Sequence, residues 1–217
     1  FECAERISSR VLSTVALEPV LRAFEAPDLP TPSQLKLSLG EDIKKLQGMQ
    51  NSDGGWDYWK RDRPSVPYVS LHVTHALVRL KQAGYAVSDE VLERALDYTR
   101  DLDQHWPADY PESCKRSLRA YALSVLKRAG RPDAARARQL IGEWGGVEKT
   151  PMESLGWLLP TLSKDAASAT VVAQNRELVL GLQKEVAQLG QRSEAAAAAI
   201  FRRRLSEADM VFSWVGD

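Results

Sequence analysis

The chain has 217 residues, with 29 Lys and Arg against 29 Asp and Glu, and so carries no formal net charge. At 44% hydrophobic and 27% charged it is too apolar and too balanced for a disordered chain. It also lacks the cationic surplus with which a dedicated nucleic-acid binder neutralises phosphates, so nucleic acid is not an expected partner.

Leu (27) and Ala (26) against only four Ile favour helix formers over β-branched strand formers. The start at Phe1 lacks the basic residues and apolar run of a signal peptide. The longest apolar run, residues 195–201, is far too short to cross a bilayer, so no membrane segment is expected in these residues. Both ends fall in mid-pattern, and a piece of a longer protein is expected. Two cysteines, Cys3 and Cys114, build no disulfide framework and leave the compartment open.

Helical periodicity runs through the chain. Residues 5–26 carry Ile7, Val11, Val15, Val20 and Leu21 at helical spacing, with a bend expected at Pro19. Thr31-Pro32-Ser33 reads as a helix start, and Leu35, Leu39, Ile43 and Leu46 form the next stripe, ending near Gly48. A loop rich in Gly, Asp and aromatics covers residues 51–67. Val69, Val73, Leu77 and Leu80 mark a third helix, closed by Gly84. Ser88 caps a fourth, with Asp89 and Glu90 in its first turn and Val91, Leu92, Ala95 and Leu96 facing inward. Leu118, Ala122, Val125 and Leu126 give a fifth, stopped at Gly130. Pro132 is placed at the first position of a sixth. Met152, Leu155, Leu158 and Leu162 give a seventh that Pro160 is expected to shorten, and residues 169–189 an eighth. The tail from Ser206 has no clear period.

Eight helices and no confident strand predict an all-α chain of antiparallel hairpins, stacked either as an open solenoid or as a closed toroid.

The most distinctive segment is Gln50-Asn51-Ser52-Asp53-Gly54-Gly55-Trp56-Asp57-Tyr58-Trp59. Asp53-Gly54-Gly55 requires a tight turn with positive φ, Gln50 is placed to bond its backbone, and Trp56 and Trp59 are expected to plug the gap between helices. A structural clip is one reading, and an aromatic cage for a ligand is the other. Cys3, just before a helix, is at a position where a thiol gains reactivity; the alternative is a small buried residue. His72 and His75 share a helix face with no acidic partner nearby in sequence and are assigned to packing. His105 beside Trp106 is a candidate exposed base. No Cys/His pair has metal-site spacing, and neither a metal nor any other cofactor is expected. There is no phosphate-cradling glycine loop or Gly-x-Ser-x-Gly elbow. Arg202-Arg203-Arg204 is taken as a solvated or partner-facing helix end.

Several segments together resemble a known family. Phe1-Glu2-Cys3-Ala4-Glu5 followed by Ile7-Ser8-Ser9-Arg10-Val11-Leu12, then residues 50–59, Pro67-Tyr68-Val69-Ser70, His75-Ala76-Leu77-Val78 and Leu118-Arg119-Ala120-Tyr121-Ala122-Leu123, resemble the thioester domain of bacterial alpha-2-macroglobulins in order and spacing. The resemblance runs over most of residues 1–165. It implies an α/α toroid, shared in outline with terpenoid cyclases and complement proteins. It also implies part of a secreted or periplasmic endopeptidase inhibitor that traps proteases after cleavage of a bait region, rather than an enzyme. Its implied partners are the target proteases and neighbouring β-sandwich domains of the same chain.

In thioester-bearing members a Cys-x-Glu-Gln motif joins the cysteine sulfur to the glutamine side-chain carbonyl. Cys3 and Glu5 match that motif, but Arg6 stands where the glutamine belongs. A guanidinium has no carbonyl with which to acylate a thiol. The resemblance therefore implies a free Cys3 thiol, or a disulfide under oxidising conditions. It further implies that a downstream segment including His105 and Cys114 folds back near Cys3, where the two cysteines could pair. A toroid of this type has about six hairpins, so residues 1–217 read as a single domain truncated at its C-terminus, with helix faces near 165–217 left uncovered. The rival readings are a terpenoid-cyclase-like enzyme, for which Asp101-Leu102-Asp103 is the nearest acidic run, and a helical-repeat binding scaffold.

Overall fold

The structure is a computed structural model that describes residues 2–24 and 30–190. The described residues form eight α-helices: α1 (Ala4–Ala23), α2 (Pro32–Gly48), α3 (Pro67–Gln82), α4 (Asp89–Arg100), α5 (Glu112–Arg128), α6 (Ala134–Trp144), α7 (Met152–Leu162) and α8 (Ala169–Gly190). Short 3-10 turns cover Leu102–Gln104, Val147–Lys149 and Ala166–Ser168, and the described residues contain no strand. The sequence readings from Ser206 onward, and of Arg202, Arg203 and Arg204, lie outside the described residues.

Local chemistry sets the ends of the helices. Thr31 and Gln34 form a reciprocal capping box at α2, with the Gln34 amide N–H donating to Thr31 Oγ1 and the Thr31 N–H to Gln34 Oε1. Ser88 Oγ accepts from the Val91 N–H at α4. Gly84 and Gly130 follow α3 and α5 with left-handed backbones, as their positions in the sequence predict.

Two expectations about proline are corrected. Pro132 does not open α6: Asp133 is the cap, its carboxylate accepting from the Arg136 N–H at 2.8 Å, and the helix begins at Ala134. Pro160 does not end α7, which continues to Leu162. Pro160 is exposed and close to the C-terminus, where a missing N–H and a ring on the solvent side are tolerated. Met152 is largely exposed and Leu118 only half-buried, so neither anchors its stripe as expected.

The chain divides into two compact units, Phe1–Tyr110 with Val125–Arg131, and Pro111–Ser124 with Pro132–Asp217. In the first, α3 is the central element: Val69, Leu71, Val73, Ala76, Leu77, Val78 and Leu80 are all buried, so it is apolar nearly all round. Its buried hydroxyls turn back on their own helix, Thr74 Oγ1 donating to Ser70 O and Ser70 Oγ to Val66 O. The principal partner of α1 is α3, two elements on, rather than its sequence neighbour α2. The contact face of α1 is Ala4, Ile7, Ser8 and Val11, where two small residues at i and i+4 allow close approach. Across the α1–α2 pair, Arg10 donates to both oxygens of the buried Asp42, at 2.6 and 3.1 Å.

The second unit has its own core of Ala120, Leu123, Ala137, Leu140, Ile141, Val147, Leu155, Leu158 and Leu162. Tyr121 and Trp157 stack at its edge, ring centroids 4.9 Å apart. Arg138 pairs with Asp165 and donates to Ser168 Oγ, fixing the turn before α8.

Arg10→Ala is expected to cost about 2–3 kcal/mol in urea unfolding, because it strands a buried carboxylate. Lys45→Ala, which removes an exposed partner of Glu2, is expected to leave the midpoint nearly unchanged.

Candidate functional site

Cys3 is the N-cap of α1. Its backbone is extended (φ −94°, ψ 162°) and its Sγ accepts from the Arg6 N–H at 3.4 Å. The turn is fixed from outside by the Ala4 N–H donating to Tyr58 O at 2.7 Å. Ala4 is buried, Cys3 partly exposed and Arg6 exposed. The Arg6 backbone thus reaches the sulfur while its side chain stands at the surface. Just upstream, Glu2 accepts from Arg10 at 2.6 Å and from Lys45 at 2.9 Å, and these two cations hold its carboxyl down at about 2.

The motif carboxylate is tied to α3. Ser9 Oγ donates to Glu5 Oε1 at 3.0 Å and lies 2.9 Å from His72 Nε2, whose ring stacks on Tyr68. With the serine proton on Glu5, the imidazole N–H donates to Ser9 Oγ. His72 therefore has an acidic neighbour after all, supplied across the helix pair through Ser9. Burial lowers its pKa, and Glu5 opposes the shift only in part. Burial pushes His75 down to about 4, assisted by Arg128, His72 and Arg79. Tyr58, which holds Ala4, is pushed up to about 12 by burial, with Tyr110, Tyr68, Glu5 and Cys3 around it.

The 50–59 segment is a clip. The Gln50 amide donates to Gly54 O at 3.1 Å and to Val91 O at 2.9 Å, so it ties the turn to α4. Asp53 Oδ1 accepts from the Gly55 N–H and from Ser65 Oγ. The two glycines are needed for different reasons. Gly54 has φ +90°, and a Cβ there would sit 2.3 Å from Arg94 O. Gly55 is short of space: its Cβ would lie 2.6 Å from the Tyr98 ring.

Trp56 is fully buried and its indole N–H donates to Leu46 O at 2.7 Å, so the ring fills the interhelical gap and offers no face to a ligand. Trp59 does not share that role. It is 52% exposed, because Asp57 captures its backbone N–H and turns the chain outward. Sequence reading missed Asn51, the hub of the loop, whose side chain donates to Arg63 O and Ser65 Oγ and accepts from the Asp62 N–H.

His105 is half-buried rather than exposed. Its ring lies flat on Tyr98, centroids 4.0 Å apart, on the clip side of the first unit. Cys114 lies in the first turn of α5 in the second unit, and both cysteines are free thiols. Asp101 is paired with Arg100, and Asp103 accepts from the Trp106 indole N–H. Among the described residues no group of three or more His, Cys, Asp or Glu is placed to hold a metal.

No family model matches the chain. An alpha-2-macroglobulin of Xylella fastidiosa is 25% identical over 145 residues, 64% of this chain and 9% of that protein. One from Thermotoga maritima is 38% identical over 56 residues, 26% of this chain and 4% of that protein. Native alpha-2-macroglobulin of Escherichia coli, solved from domain MG7 to the C-terminus, superposes with a TM-score of 0.64 at 18% identity, over 81% of this chain and 28% of that one. The chain is thus similar to alpha-2-macroglobulins in sequence and in fold. Its all-α architecture is that of the α/α-toroid region of those proteins. A Salmonella alpha-2-macroglobulin reacted with methylamine covers 95% of the chain at a TM-score of 0.56 and 16% identity. The chain spans less than a tenth of the length of the curated relatives it matches.

Gly54→Ala is expected to destabilise by at least about 2 kcal/mol in thermal unfolding, combining a left-handed backbone with a clash against Arg94 O. The pH dependence follows from His75. Its folded pKa lies below the ordinary 6.5, so the unfolded chain takes up the proton first. Stability is therefore full above pH 6.5 and falls between 6.5 and 4, and His75→Gln flattens that slope in pH-resolved unfolding curves.

Proposed function

We propose that the chain is a thioester-type domain of an alpha-2-macroglobulin-like endopeptidase inhibitor that captures proteases by conformational change without covalent attachment. The observation that carries this reading is the Cys3 turn. Cys3 is seated as the cap of α1 and Glu5 is tied into α3, yet the position that must supply an acyl group is Arg6, whose side chain is exposed and has no carbonyl to give. E. coli alpha-2-macroglobulin is described in trypsin-activated and elastase-activated forms, which supports proteases as the targets here.

The domain's work is then mechanical: it packs against neighbouring domains of the parent chain and shifts when the bait region is cut. Residues 1–217 act as one toroid domain in this reading, and it is not an enzyme. The parent acts in the periplasm or outside the cell; no described helix is long and apolar enough to cross a membrane. The roles proposed for His105 and Cys114 follow the same logic. Without an acyl group His105 has nothing to activate, and Cys114 is a second unpaired thiol.

Two measurements test this. Intact-mass analysis and thiol titration of the native chain are expected to give the unmodified mass, a Cys3 that alkylates directly, and no uptake of methylamine. A mass lower by one ammonia, or methylamine incorporated at residue 6, overturns the loss of the thioester. The complete protein, incubated with trypsin, is expected to shield the protease from large substrates while releasing it intact on denaturing gels. A covalent adduct, or no shielding at all, counts against the proposal.

A further inference from the structure

The loop between α2 and α3 projects at residues 59–64, six consecutive exposed positions that include Lys60, Arg61 and Arg63. Asp62 stands among them with φ +66°, a left-handed backbone that a residue with a side chain seldom adopts. Asn51 holds it there, accepting from the Asp62 N–H and donating to Arg63 O, each at 2.8 Å. At the inner edge of the projection lies Tyr58, whose carbonyl receives the Ala4 N–H and so anchors the Cys3 turn. Trp56 is fixed from three sides: its indole donates to Leu46 O, its backbone N–H to Ser70 Oγ, and its carbonyl accepts from the Val66 N–H. The residues beyond it are tied more weakly. The Trp59 N–H reaches Asp57 Oδ2 at 3.2 Å, and Arg63 lies 3.8 Å from the same carboxylate.

We propose that this loop is a cleavage site for a Lys/Arg-specific endopeptidase of the trypsin type, and that cutting it releases the hold of Tyr58 on the Cys3 turn. Among the described residues of the first unit, every Lys and Arg lies in a helix except Lys60, Arg61, Arg63 and Arg131. A protease cleft takes its substrate extended, so a helical peptide bond is reached only after the helix opens. Arg63 and Arg131 each precede a proline, Pro64 and Pro132, and such bonds resist this class of protease because the leaving nitrogen carries the ring and no N–H. That leaves Lys60–Arg61 and Arg61–Asp62. Extending the chain there relaxes the left-handed Asp62 and costs only the Asn51 bonds, not regular structure.

The reaction is hydrolysis: water adds across the peptide bond, leaving a carboxylate on Lys60 or Arg61 and an ammonium on the residue that follows. A closed loop becomes a free end two or three residues past Tyr58. The bonds of Trp56 do not cross the cut backbone, so the buried ring and the helices around it stay in place. The Tyr58 carbonyl is no longer held from both sides and frays. The Ala4 N–H then loses its acceptor and the turn that seats Cys3 opens. This latch does not depend on the chain being part of an inhibitor; the free Cys3 thiol of that reading serves only as a second reporter.

Limited trypsin digestion of the native chain, read by intact mass and N-terminal sequencing, tests this. The first new N-terminus within the first unit is expected at Arg61 or Asp62, with the two pieces still eluting together in size-exclusion chromatography. In the cut protein the Ala4 amide is expected to exchange about three- to tenfold faster, as the loss of one hydrogen bond implies. Cys3 is expected to alkylate faster as well, with Cys114 in the other unit as the internal reference. Lys60→Gln with Arg61→Gln, at exposed positions, is expected to abolish the cut and both accelerations without moving the unfolding temperature. An earlier cut elsewhere in the first unit, or none here while the second unit is being cut, overturns the proposal. So does an Ala4 exchange rate that the cut leaves unchanged, and so does separation of the pieces, because the latch requires the helices to survive. A Cys3 that resists alkylation before and after the cut, with Ala4 exchange accelerated, refutes the free-thiol reading and leaves the latch standing.

Discussion

The packing of α1 on α3 is the constraint on which the first unit depends. It is made by small residues, Ala4 and Ser8, interleaved with Ile7 and Val11, against a helix that is apolar almost all round. A contact of that kind tolerates little change in volume, because neither side can relax away from it. It also fixes where the N-terminus of α1 arrives, and hence where Cys3 sits. Everything polar around Cys3 is an adjustment to that position: Tyr58 O receives Ala4, Ser9 links Glu5 to His72, and Arg10 neutralises Asp42.

These polar ties trade stability for definition. A buried Asp42 or a half-buried His72 contributes less than an apolar side chain of equal size would, since desolvation offsets most of the gain. Their effect is geometric. Arg10 meets Asp42 at two oxygens, which fixes the rotation of α1 against α2, and the Ser9–His72 contact fixes it against α3. A helix held about its own axis on two sides presents its cap residue in one orientation. The half-buried histidines, whose pKa values burial lowers, make this arrangement sensitive to acid, whereas the Glu2 pairings hold until the pH is far below the ordinary carboxylate range.

What could be read from the sequence was whatever is encoded locally. The α2 capping box, the Ser88 cap, the glycines after α3 and α5 and the positive φ at Gly54 each depend on residues within a few positions of one another. Apolar stripes placed six of the eight helices for the same reason. The Glu5–Ser9–His72 link joins residues 63 positions apart, and Arg10 and Asp42 are 32 apart, so no periodicity announces them. Trp59 and Met152 were misplaced because aromatic and thioether side chains suit a core and a surface alike, and only the path of the backbone decides between them. Asp133 was passed over because Pro132 offered a competing start signal, and a side-chain cap that bonds an amide outweighs a ring that merely pre-sets φ.

The turn at Cys3 also explains why the fold accepts an arginine at position 6. Nothing that shapes the turn uses that side chain. The cap bond to Sγ comes from the Arg6 backbone N–H, which any residue but proline supplies, and the neighbouring anchors belong to Ala4 and Glu5. An exposed side chain on the first turn of a helix is worth a few tenths of a kcal/mol at most, so its chemistry can change while the cap, the helix and the α1–α3 contact stay as they are. Acyl chemistry at this site and the architecture that presents it are therefore separable: the first needs a carbonyl at one side chain, and the second needs only a backbone.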